Sequence, residues 1–246
     1  MSRHAAAGTP PPGTEWAVAD LAAGTGLDSA VEGVDGVIHA ASDPRGDPRA
    51  TDVEGTARLL SAARGAGTGH FIYVSIVGID RVPFPYYRAK LECEERVRSA
   101  GVPWTIVRGT QWHDFVESLL LPLARVPWVM PVPAGWRLQP SDAGEFAGRL
   151  VQAAGEGPQE ETVDFAGPEV RTLGGLARSW LEVRGMRRHV VGLPAPGGLS
   201  AAMRRGLLTL PPRHDGRITW EHWLRTRYGA PDPARLPDRV AIRPGA

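Results

Sequence analysis

Short apolar runs alternate with helix-periodic stretches along most of this chain. Val37-Ile38-His39-Ala40-Ala41-Ser42 is small and apolar, the pattern of a strand buried on both faces. Phe71 to Ser75 and Trp104 to Arg108 read as further buried strands. Between the first two, Val53, Ala57, Leu60 and Ala63 recur at helical spacing. Thr51-Asp52-Val53-Glu54 reads as a capping box that opens this helix, and Gly65 to Gly69 end it. A second helix is predicted from about Tyr86 to Ala100, with Glu92/Arg96 and Glu94/Arg98 as i,i+4 ion pairs on its outer face. A short strand, Glu15 to Asp20, and a short helix, Leu27 to Glu32, precede these elements.

After Thr110 the alternation loosens. Helices are predicted near Asp114 to Ala124, Ser141 to Ala154 and Thr172 to Arg184, the second capped by Ser141 or Asp142. Strands are predicted at Trp128 to Val132, Glu161 to Ala166 and His189 to Leu193, and Thr219 to Tyr228 is amphipathic. Strands that alternate with helices predict an α/β fold, a parallel sheet with covering helices.

Composition removes several functional classes. The net charge is +1, which gives no footprint for nucleic acid. The single cysteine, Cys93, is flanked by glutamates that would raise its pKa, so it reads as helix packing. No apolar run approaches the roughly 18 residues of a membrane span. Met1 to Gly13 lacks the apolar core of a signal peptide, and the expectation is a cytoplasmic protein. His214-Asp215 and Glu221-His222 lack a third ligand at useful spacing, so no metal site is expected. Val74-Ser75-Ile76 lacks the glycines of a hydrolase elbow.

The strongest chemical signal is Tyr86-Tyr87-Arg88-Ala89-Lys90. Tyr86 and Lys90 are one helical turn apart and share a face. An ammonium beside a phenol stabilises the phenolate and makes it a usable acid or base. Ser75 ends a buried strand, where open α/β sheets place ligands. Alone, such a pair is more often a half-buried tyrosine beside a lysine with a solvated head. Its setting changes the reading. The order Ser75, Tyr86, Lys90 and then Gly101-Val102-Pro103-Trp104-Thr105-Ile106-Val107-Arg108-Gly109 resembles the short-chain dehydrogenase/reductase superfamily. Val34 to Ser42, Asp52-Val53-Glu54-Gly55-Thr56, His70 to Ser75, Asp20-Leu21 and Gly167-Pro168-Glu169 resemble segments of its atypical, NmrA-like branch.

That resemblance implies a Rossmann-like NAD(P)-binding domain over 14–125 and a substrate lobe over 126–246 interleaved with the end of the sheet, after a disordered segment 1–13. It implies hydride transfer between a nicotinamide, NADP(H) or NAD(H), and a carbonyl/alcohol pair on a small-molecule substrate. Tyr86 would move the proton, Lys90 would bind the nicotinamide ribose, and Ser75 would orient the substrate. Asp20 and Leu21 would meet the adenine, and His39, Ala40, Ala41 and Ser42 would line the cofactor. Gly109, Thr110 and Gln111 would lie near the nicotinamide, with Trp112 and His113 towards the substrate. Trp112, Trp128 and Trp136 are candidates for an apolar substrate wall, or for core packing.

The sequence departs from that family at its start. The Gly-x-x-Gly-x-x-Gly turn that grips the pyrophosphate is absent, and Gly24-Thr25-Gly26 follows the wrong strand. Ser2-Arg3 resembles the residues after the family's second strand, which makes Arg3 a candidate for a 2′-phosphate and favours NADP(H). The expectation is a chain that lacks the first βαβ unit, through a late start codon or a real loss. A dinucleotide-sensing regulator without turnover and an inactive truncated copy are the alternative readings.

Overall fold

The computed structural model describes residues 10, 12–44, 46–211 and 215–229. Its centre is a four-stranded, all-parallel sheet in the order β1-β2-β3-β6. The strands are β1 (Gly36–His39), β2 (His70–Ile76), β3 (Trp104–Gly109) and β6 (Thr162–Phe165). Parallel neighbours need a crossover, and here helices supply it. α1 (Leu27–Val31) precedes β1, while α2 (Gly55–Gly65) joins β1 to β2 and α3 (Pro85–Ser99) joins β2 to β3. α5 (Ala143–Glu156) covers the opposite face, where Phe146 and Leu150 pack on Ile72, Val107 and Phe165. The α2/α3 face buries Leu59, Leu60, Phe71, Tyr73, Cys93, Val97 and Ile106. The sheet is parallel and covered by helices, as the alternation predicts.

The C-terminal half adds a second core around Trp180, which is fully buried. α4 (His113–Leu123), α6 (Leu173–Val183), α7 (Gly198–Arg205) and α8 (Trp220–Tyr228) build it. Two ribbons accompany them: β4 (Val129–Val132) runs parallel to β8 (His189–Gly192), and β5 (Arg137–Leu138) runs antiparallel to β7 (Arg171–Thr172). Asp142 caps α5 by accepting from the amides of Gly144 (2.8 Å) and Glu145 (3.0 Å). Thr172 and Thr219 cap α6 and α8 in the same way. β6, the last strand of the sheet, comes from the C-terminal half of the chain.

Two local expectations fail. Glu15 to Asp20 forms no strand; Asp20 makes one isolated antiparallel bridge to Thr25, and Trp16 and Val18 stand about half exposed. A strand is held by its ladder, and β1 has no neighbour on its outer side among the described residues. The capping box is not made either. The chain is already helical from Arg49 to Glu54, in a wide π-type turn that runs straight into α2. Asp52 is therefore inside a helical run, and its carboxylate turns elsewhere. The segment 1–13 lies mostly outside the described residues, as does His214.

Candidate active site

Proline dictates where Tyr86 sits. Pro85 opens α3 and Phe84 before it is extended, because a residue preceding proline avoids the helical region. Tyr86 thus falls in the first turn of α3, beside the C-terminal end of the parallel strands. Its hydroxyl is 2.7 Å from Ser42 Oγ, just beyond the end of β1. Ser42 Oγ donates to Asp52 Oδ1 at 2.5 Å, and the Asp43 amide donates to Asp52 Oδ2 at 3.0 Å. Asp52 is 1% exposed. Tyr86, Ser42 and Asp52 are one hydrogen-bonded group.

Lys90 lies one turn further along α3 and is only 4% exposed. Its ammonium donates to the Val74 carbonyl at 2.8 Å and sits 4.2 Å from the centre of the Tyr73 ring. It makes no hydrogen bond to Tyr86. Burial lowers the Lys90 pKa, opposed by the charge of Asp52. Burial raises the Tyr86 pKa; the hydrogen bond it shares with Ser42 opposes this, and the Asp52 charge adds to the rise. The expected electrostatic help from Lys90 is thus directed at the sheet rather than at the phenol.

Ser75 shares this end of the sheet but not this group. It is 1% exposed, beside Glu94 of α3, and its Oγ makes no well-formed hydrogen bond. Glu94 is fully buried and takes two bonds from Arg108 (2.8 and 2.7 Å) and one from Arg98 (2.9 Å). Ser42, read from the sequence as a cofactor-lining residue, is the hydroxyl that meets Tyr86. Asp52 was missed because it read as part of a cap. Its signal was two successive cap-capable residues, Thr51 and Asp52, where a helix start needs one. The buried Glu94 was read as an outer-face ion pair; the signal against that was Arg108, a charge inside an apolar strand.

The other site candidates divide into open and closed sets. Ala40, Ala41 and Ser42 are exposed at the end of β1, and small residues leave room there for a ligand to lie close to backbone. Asp20 Oδ1 accepts from the amides of Ala22 (2.8 Å) and Ala23 (3.1 Å), folding its own loop, and Leu21 is buried. His39 is 2% exposed, bonded to Thr56 at 2.9 Å, and burial lowers its pKa to about 3. Gly109 faces Trp112, whose ring packs at a tilt against Phe146 with ring centres 4.4 Å apart. Thr110 Oγ1 accepts from the Gly167 amide at 3.0 Å. Gln111 is held from both ends, donating to the Leu208 carbonyl (3.0 Å) and accepting from the Gln139 amide (2.9 Å). His113 is 1% exposed, donates to the Ile218 carbonyl (3.0 Å) and stacks on Trp223. Gly109 to His113 therefore stitch the lobe to the sheet. Trp136 bonds Ser200 (2.8 Å), and Trp128 is 81% exposed. Arg3 lies outside the described residues.

A dinucleotide fits the open set. The rim at Ala40, Ala41 and Ser42 is small and exposed, and the Tyr86 hydroxyl is at hand. Among the described residues no glycine turn stands ready for a pyrophosphate, and no three side chains group to hold a metal. No described helix is long and apolar enough to cross a membrane. A surface hollow of about 520 Å³ between α1 and α2 is lined by Asp28, Glu32 and Ser61 and by none of the Tyr86 group.

A family model described as NAD(P)H-binding matches residues 1–116. A triphenylmethane reductase of a Citrobacter species, solved with NADP(H), is 21% identical over 91% of this chain and 82% of its own, with a TM-score of 0.67. An NADPH-dependent quinone oxidoreductase of Escherichia coli is 18% identical over 86% and 82%, also with a TM-score of 0.67. These likenesses show the fold. The chain is an α/β protein with a Rossmann-like sheet, and its first 116 residues match the NAD(P)H-binding family model. A curated relative, the (4-alkanoyl-5-oxo-2,5-dihydrofuran-3-yl)methyl phosphate reductase of Streptomyces griseus, is 37% identical over 84 residues. The match spans 33% of this chain and 27% of that reductase.

Proposed function

We propose that this protein is an NAD(P)-dependent oxidoreductase that interconverts a carbonyl and an alcohol on a small molecule. One observation carries the reading: within an NAD(P)H-binding domain, the Tyr86 hydroxyl stands at the open carboxyl edge of the sheet, bonded to Ser42. Ligands of open α/β sheets bind at that edge. The named reductase relatives support the class.

The nicotinamide, when bound, supplies or accepts the hydride. Ala40, Ala41 and Ser42 would hold it along the end of β1. Tyr86 Oη gives a proton to the substrate oxygen in reduction and takes one in oxidation. Ser42 fixes the position of that oxygen. Ser75, as first read, would orient the substrate; its burial beside Glu94 makes it a support for the wall instead.

The test measures NADPH and NADH binding by fluorescence and turnover on a panel of aldehydes, ketones and enones. Tyr86→Phe should lower kcat by about 10²-fold or more and leave nucleotide affinity nearly unchanged. Undiminished turnover in Tyr86→Phe would remove Tyr86 from the chemistry. A second reading, a dinucleotide sensor without turnover, is favoured by the tie between Lys90 and Val74. Nucleotide binding with no turnover on the panel would select it.

A further inference from the structure

We propose that Ser42 and Asp52 form a proton relay for Tyr86, a role that rests on the oxidoreductase reading above. The three oxygens are in series, with 2.7 Å from Tyr86 Oη to Ser42 Oγ and 2.5 Å from Ser42 Oγ to Asp52 Oδ1. A serine hydroxyl has one proton and an ionised carboxylate has none. Because Ser42 gives its proton to Asp52, Tyr86 gives its own to Ser42. The phenol's lone pairs are then left for the substrate, and every proton in the chain already points towards Asp52.

In alcohol oxidation, the substrate O–H proton passes to Tyr86 Oη. The proton of Tyr86 passes to Ser42, and that of Ser42 passes to Asp52 Oδ1. The carbinol C–H electron pair leaves as hydride to the oxidised nicotinamide of the proposed reaction, and the carbonyl forms. In reduction the same protons move back, starting from protonated Asp52.

A purely structural role would use Asp52 to cap its helix. The helical run starts before Asp52, has no side-chain cap bond, and turns both carboxylate oxygens away to Ser42 and Asp43. A carboxylate 1% exposed and aimed at an exposed hydroxyl that itself meets a phenol is placed for proton exchange. The charged and titratable groups around Tyr86 are Tyr87, Lys90 and Cys93 on its own helix, Tyr73 from β2, Asp43 from the loop after β1, and Asp52. Only Asp52 is joined to it through a hydroxyl.

The chain has four tyrosines, so ¹³Cζ labelling gives few resonances, and Tyr86→Phe assigns the one needed. Without cofactor, the Tyr86 ¹³Cζ shift should follow the Asp52 ¹³Cγ resonance as pH is varied. Ser42→Ala and Asp52→Asn should abolish that movement, and Ser42→Thr should keep it. With cofactor, Asp52→Asn and Ser42→Ala should lower kcat about tenfold or more and flatten its pH profile, with nucleotide affinity kept in Asp52→Asn and Ser42→Thr restoring most of the rate. A Tyr86 resonance blind to Asp52 protonation overturns the relay. So does turnover that Tyr86→Phe abolishes and Asp52→Asn leaves within about twofold, an outcome in which the oxidoreductase reading survives. A coupled titration with no turnover on any substrate does the reverse, sinking that reading while the coupled trio stands.

Discussion

Lys90 Nζ lies 2.8 Å from the Val74 carbonyl oxygen, so the ammonium one turn beyond Tyr86 is anchored to β2. The anchor holds a charge where little water reaches it, and burial lowers the lysine's pKa. A group whose folded pKa is below its unfolded value costs stability while the unfolded chain keeps the extra proton. Stability should therefore rise with pH as the unfolded lysine loses that proton. Lys90→Met keeps the stem and removes the charge. We expect it to be neutral or to stabilise by about 1 kcal/mol, roughly 2–4 °C in Tm, while turnover falls. Scanning calorimetry decides the sign; a clear loss of Tm would make the ammonium a net stabiliser.

His39 makes a sharper pH prediction. Its side chain is buried against Thr56, and burial, with the nearby Lys90 charge, depresses its pKa from 6.5 to about 3. Between those values the unfolded chain takes up a proton that the folded protein refuses. Stability should fall as pH drops from about 6.5 towards 3, by about 2 kcal/mol between pH 7 and 5 from this residue alone. His39→Gln, which keeps a polar partner for Thr56, should flatten the acid limb by up to about 1.4 kcal/mol per pH unit. His70 and His113 shift in the same direction and should leave the rest of the slope in place. Urea midpoints measured at several pH values would show the change, and parallel limbs would rule His39 out as a source.

Glu94 carries a larger stake. Its fully buried carboxylate is gripped by Arg108 through two nitrogens and by Arg98 through one. Burial pushes its pKa up, and the bonds and charge of Arg108 together with the contacts of Ser75 and Arg98 more than reverse this, so the net direction is down. Removing one partner of a buried pair strands the other. Glu94→Ala should cost about 3–5 kcal/mol, a drop of roughly 6 to 20 °C in Tm, and Glu94→Gln should cost less. Thermal melts of both variants test this; a Tm within about 2 °C of the parent would mean that water rescues Arg108.

The sheet was legible because its strands are short apolar runs separated by helical periodicity. β2 and β3 came within a residue or two of their observed bounds. The cap Asp142 was legible for the same reason, since it directly precedes a periodic run. The site was only half legible. Tyr86 follows from Pro85 and the helix start, but which hydroxyl meets it is a tertiary fact. Ser75 and Ser42 both lie at strand ends, and it is Ser42, exposed beyond β1, that meets Tyr86 while Ser75 is buried. Gln111 and Gln139 could not be told from cofactor contacts, because glutamine in a loop serves a nucleotide or a backbone with the same atoms. Here Gln139 donates to the Gly167 carbonyl and accepts from the Leu210 amide, joining three loops of the lobe.

Trp128 gives the last prediction, about the lobe. It has φ of 65°, in the left-handed region, and its side chain is 81% exposed. A bulky L-residue in that conformation costs roughly 1–2 kcal/mol relative to the right-handed form. So little of the ring is buried that removing it returns little of that cost. Its backbone still matters, because the His189 amide donates to the Trp128 carbonyl at 3.0 Å and starts the β4/β8 pairing. Asparagine tolerates the left-handed region and keeps that carbonyl in place. Trp128→Asn should therefore raise stability by about 0.5–1 kcal/mol, read as a higher urea midpoint at unchanged slope. Trp128→Gly should gain less, because glycine also enlarges the unfolded ensemble. A lower midpoint in Trp128→Asn would mean that the exposed indole contributes packing that outweighs the strain of its backbone.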